Sequence, residues 1–170
     1  MGRRISRWPW LPFVDLALIM ALAPGFALGA AMVGVNLLGG SSAGWYAAAR
    51  QAHAHAQLLG WGGALILGVG LQFLPRLRGS PQELPRWLPG LFWLFAVGLT
   101  LRVVTQPLVA LLETTGAAAW WSALLRSGFV GGAWLEAAGV LGLLGVLGST
   151  LRYGPPLSER KGFQEVLPLL

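Results

Sequence analysis

Five side chains in this sequence have types that do chemistry in otherwise apolar surroundings: His53 and His55, followed by Gln57, and two single charges, Arg102 and Glu136, each set inside a hydrophobic run. Neutral imidazoles are ligands for haem iron or copper. A regular helix puts positions two apart ~200° round from each other, so His53 and His55 cannot reach one metal ion from one helix. An arginine or glutamate at membrane depth costs ~2.5 to 3.5 kcal/mol on insertion scales, so each must face protein, a cavity or a ligand. The two together make an ion pair that fixes neighbouring helices or a charge couple that serves ion movement.

The elements that must hold these residues are membrane spans. Hydrophobic residues make up 55% of the chain and charged ones 11%, a balance far from that of a soluble globular domain. The uncharged stretch from Ala52 to Leu74 gives ~35 Å of helix, enough for a bilayer core of ~30 Å. The hydropathy pattern predicts an all-α, integral membrane four-helix bundle over residues 1–152, with spans at about 12–38, 52–74, 87–112 and 129–151. Residues 153–170 form a proline-broken cytoplasmic tail.

Gly39 to Arg50 reads as a short polar connection, Pro75 as the end of the second span, and 113–126 as a connection carrying a short surface helix with Trp120 and Trp121. Pro24 predicts a kink in the first span. Arg3 and Arg4 with the small residues Ala27–Ala31 also fit a signal peptide, but the apolar run continues to Leu38, which favours a retained span.

Helical spacing sorts the polar residues by face. His53, Gln57, Gly60 and Ala64 form one stripe of the second span, directed into the bundle; His55 shares the opposite face with Leu59, Gly62, Ile66, Val69 and Phe73, directed to lipid or a second subunit. Gly25, Gly29 and Asn36 form the matching stripe on the first span, Gly98, Arg102 and Thr105 on the third, and Gly128, Gly132, Glu136 and Gly139 on the fourth. Asn36, His53, Gln57, Arg102 and Glu136 are expected to converge in the extracytoplasmic half, with the histidines near its mouth.

The segment HAHAQLLGWGGALILGVGLQFLPRLRG, from His53 to Gly79, resembles the NnrS family of many-helix membrane proteins, associated with nitric-oxide stress, haem and copper. More distantly it is similar to subunit I of haem-copper oxidases. Ala56 stands where the NnrS family commonly has an acidic residue. The resemblance implies haem or copper held near the extracytoplasmic face, with His53 and His55 as ligands, Gln57 beside them and Arg102 against a haem propionate. With two histidines in all, the chain lacks the further ligands of an oxygen- or nitric-oxide-reducing centre. A homodimer or an additional membrane subunit would let both histidines act.

Two other functions fit the same residues: a structural membrane subunit without a cofactor, and a small transporter using the Arg102 and Glu136 couple. The absence of cysteine excludes thiolate metal sites and cysteine nucleophiles. The basic balance reads as membrane anchoring in the cell inner (plasma) membrane, with lipid rather than nucleic acid as partner.

Nine basic residues (Arg3, Arg4, Arg7, Arg76, Arg78, Arg86, Arg152, Arg160, Lys161) fall on one side of these spans and two (Arg50, Arg126) on the other. Both termini are therefore expected in the cytoplasm. A Ser42→Cys variant of the cysteine-free chain should react with an impermeant maleimide from outside the cell, and a periplasmic reporter fused after Leu170 should be silent. The reverse pattern would reject this topology.

Overall fold

A chain this apolar satisfies its own peptide groups as helix, because lipid offers neither donors nor acceptors. The computed structural model, which describes residues 9–39, 43–77, 84–116 and 119–153, has helices and turns and, among the described residues, no strand. Four helices are long and apolar enough to cross a membrane: Leu11–Leu37, Gly44–Leu77, Leu88–Thr115 and Ala119–Arg152, here the first to the fourth. At ~1.5 Å per residue the shortest is ~40 Å long, so their ends reach beyond the ~30 Å hydrocarbon core. The arginine-rich start and the tail from residue 154 lie outside the described residues.

Three boundaries differ from the hydropathy pattern. The second helix begins at Ala43, so most of the expected connection at 39–50 is helical and Trp45 and Tyr46 sit in its first turn. The alanines between them and Gln51 are strong helix formers, which hydropathy does not register. Pro75 does not end this helix, which runs to Leu77; proline forfeits one donor there, and the buried Pro75 ring offsets the loss by packing. The expected connection at 113–126 is instead the last turn of the third helix and the first turns of the fourth, which starts at Ala119. Trp120 and Trp121 stack there at 3.9 Å between ring centroids. The third helix stops at Gly116, whose φ of 67° is the left-handed conformation that glycine adopts without strain.

Two helices contain wide turns, Ala21–Phe26 around Pro24 in the first and Ala56–Gly63 in the second, and the two turns are in contact. Proline has no N–H to offer the preceding turn, and a widened turn absorbs the mismatch. The expected kink at Pro24 thus takes the form of a local widening.

Packing follows the small residues. A side chain at Gly98 of the third helix would run into the backbone N of Glu136, and one at Gly132 would meet Gly98 O at 2.9 Å and Arg102 N at 3.1 Å. Gly139 lies equally close to the backbone of Phe95. The third and fourth helices therefore touch backbone to backbone, as small residues permit in lipid. The first helix lies along the second: Gly60 admits Met20, and Gly68 admits Phe13. The second helix is thereby sandwiched, with the first helix on one side and the third and fourth on the other. Phe13, Leu71, Phe95, Leu99, Val103 and Leu143 are fully buried between them.

Replacing Gly98 by leucine should overpack the seam and destabilise the protein by about 3 kcal/mol. Gly145, with open space around its Cα, should accept alanine with a gain of about 0.5 to 1 kcal/mol. Thermal unfolding of both variants in detergent checks the contrast; equal effects would contradict the seam.

Candidate functional site

Glu136 lies at the middle of the fourth helix and Arg102 at the middle of the third. Because Gly98 and Gly132 bring those backbones together one turn away, the two side chains meet: Arg102 Nη1 is 3.6 Å from Glu136 Oε2. The contact is an ion pair by distance without being a hydrogen bond. The other carboxylate oxygen, Oε1, accepts a hydrogen bond of 2.7 Å from His55 Nε2. The carboxylate of Glu136 is thus shared between a permanent cation and a titratable imidazole, with its own side chain only 4% exposed.

This placement of His55 overturns its expected direction. The ~200° separation from His53 holds, and the two imidazoles do point opposite ways, but the second helix has neighbours on both sides. The face that carries His55 meets the third and fourth helices at that level, and only farther along do its members Ile66, Val69 and Phe73 become exposed. Hydropathy cannot reveal a helix that is covered twice.

His53 faces the first helix. Its Nδ1–H donates to the carbonyl of Gly25 at 2.7 Å, which leaves Nε2 as the free nitrogen of the neutral ring. Gly29 lies against the same ring, and Gln57 packs on Gly25. The stripe of His53, Gln57, Gly60 and Ala64 is thus directed into the bundle, but Met20 fills the space beside Gly60 and Ala64 is fully buried. Met20 and Gln57 thus occupy the space that Gly60 and Gly25 leave. Among the described residues no group of three or more His, Asp or Glu side chains forms a metal site. Asn36 is elsewhere, donating to Tyr46 Oη at 3.0 Å on an exposed edge.

The helical start at Ala43 also moves the histidines. Ten residues of helix precede His53, so both rings sit well inside the second helix rather than at its mouth.

Two residues not singled out from the sequence extend the polar site. Gln51 Oε1 accepts a hydrogen bond of 2.6 Å from Gln106 Nε2. Gln51 is one turn before His55 and Gln106 one turn after Arg102, so they form the next rung of a ladder toward one end of the bundle. That i, i+4 spacing was a visible signal. Farther toward that end Arg126 pairs with Glu113. In the other direction the ladder stops at Phe95, Leu99 and Leu143, all fully buried.

Two polar atoms of the triad have no hydrogen-bond partner among the described residues: Arg102 Nε and Glu136 Oε2. Arg102 is one-third exposed and stands over the Phe129 ring at 5.6 Å. The site is therefore closed around the glutamate and open beside the arginine.

Arg102→Leu and Glu136→Leu should each destabilise the protein by about 3 to 5 kcal/mol, because each leaves a buried charge without its partner, while the double variant should be much milder. Chemical unfolding of the three variants in detergent measures the coupling, and additive losses would show that the charges are independent.

No protein-family model matches this chain, nor does any curated protein or solved structure, so its function rests on its own residues.

Proposed function

We propose that this protein is a helical membrane protein whose His55–Glu136–Arg102 triad is a proton-linked ion-translocation site. The observation that carries the reading is one carboxylate, at the middle of its helix, bonded to an imidazole on one side and facing a guanidinium on the other. Intramembrane ionisable residues mark ion pathways and proton relays unless they serve only to pair helices. A purely structural pair gains from full mutual hydrogen bonding, whereas here Arg102 Nε and Glu136 Oε2 are left over. The Gln51–Gln106 rung supplies polar access from one end, and the apolar plug at Phe95 and Leu99 closes the other. Movement past that plug requires a second packing of the helices. The wide turns at Ala21–Phe26 and Ala56–Gly63, with Pro24 and four glycines, are the segments suited to bend.

A second reading, haem or copper bound through His53, is favoured by its ring geometry alone. Ligating histidines usually donate their other N–H to a carbonyl or carboxylate, as His53 does to Gly25. Such a ligand would approach Nε2 from an edge, since Met20 occupies the groove. A Soret band in protein expressed with ample haem, shifted or lost in His53→Ala, is its test.

For the leading reading, purified protein goes into vesicles holding a trapped pH dye, in potassium chloride with valinomycin to clamp the potential. After an acid jump outside, protons should enter at least tenfold faster than into protein-free vesicles. Glu136→Gln and His55→Ala should lose most of that rate. Wild-type protein, folded by circular dichroism, that admits protons no faster than bare lipid would end the reading.

A further inference from the structure

Arg102 uses its donors sparingly. Its nearest approach to Glu136 is 3.6 Å from Nη1, and its Nε is buried with no hydrogen-bond partner among the described residues. A guanidinium offers five N–H donors in a planar fork that matches an anion across Nε and Nη. Opposite it, Glu136 Oε2 is the one carboxylate oxygen without a hydrogen bond, in a side chain 96% buried. Resting on the proton-linked reading above, we infer that Arg102 is the binding site of a small monovalent anion, which enters together with a proton that neutralises Glu136.

Charge balance carries the coupling. Among the described residues, the ionisable groups facing Glu136 are His55 from the second helix and Arg102 from the third. Arg102 and Glu136 sum to zero, the state a low-dielectric site favours. A proton arriving alone leaves the triad at +1, and an anion arriving alone leaves it at −1. Both together restore zero. In the loaded state one O–H bond has formed, at Glu136 Oε2, and one has broken in a hydronium ion at the Gln51–Gln106 end, which is left as water. The neutral carboxyl then loses its hold on the guanidinium, and the anion takes its place against the Nε–H and Nη–H. Nothing is oxidised or reduced, and no covalent bond to the anion forms.

The anion must be small, because it has to reach a buried Nε. The Arg102 side chain is one-third exposed and bordered by Phe129, while Gly98 and Gly132 keep the backbones behind it in contact. The site has no second free cation among the described residues of these helices at this level, so a divalent anion would remain uncompensated. Chloride meets both limits and is the probe.

The deciding comparison needs only wild-type protein. Proton entry after the acid jump is measured in vesicles with external chloride or external gluconate, each with and without valinomycin. The expected result is entry at least tenfold faster in chloride than in gluconate, and unaffected by valinomycin because proton and anion move together without net charge. Radiolabelled chloride should enter with the protons, and Arg102→Gln should remove the chloride dependence. Fast proton entry that is equal in chloride and gluconate and requires valinomycin would overturn the anion site while leaving the proton pathway standing. Absence of proton entry in every medium would instead overturn the proton-linked reading, and the anion site with it.

Discussion

A carboxylate at the middle of a long apolar helix must have its charge met by other protein groups, and that requirement at Glu136 organises this molecule. Nothing within its own helix can do so. The compensating groups come from the third helix, Arg102, and from the second, His55. Three helices are thereby tied to one level of the bundle, since sliding any of them by a turn would move its group ~5.4 Å away. An apolar seam alone tolerates such slippage far more readily, because one leucine replaces another at little loss.

The seam that makes the pairing geometrically possible is glycine. Gly98 and Gly132 remove the side chains that would separate the third and fourth backbones, and Arg102 and Glu136 project from the next turn on either side. Close packing and polar chemistry are therefore one arrangement. The first helix makes a different kind of contact, with Met20 and Phe13 seated on Gly60 and Gly68. This contact gives the second helix its second covered face, and it is the one that occupies the groove beside His53.

The two histidines come from one short motif yet serve different neighbourhoods. His53 has its tautomer set by a backbone carbonyl and lies between the first two helices; His55 has a carboxylate partner and belongs to the triad. The two rings point to opposite sides of the second helix and so do not converge within one chain. The resemblance to haem- and copper-binding membrane families rests on the segment that holds both residues, and of the two only His53 keeps its Nε2 free in the neutral tautomer.

Much of this was legible in the sequence. The helical class and the four apolar spans follow from composition and run length, because a bilayer core admits few other structures. The small-residue faces Gly98–Arg102–Thr105 and Gly128–Gly132–Glu136–Gly139 follow from the 3.6-residue period, and so does the opposite aim of His53 and His55. Hydropathy misjudged the ends of the second and fourth helices, since alanine-rich and tryptophan-bearing turns extend a helix past its lipid-buried part. Tertiary structure alone decided what each face meets. Periodicity tells which residues share a side of a helix, but whether that side faces lipid, one neighbour or two depends on how all four helices pack. For that reason His55 joined Glu136, Asn36 stayed apart with Tyr46, and Met20 filled the space beside Gly60.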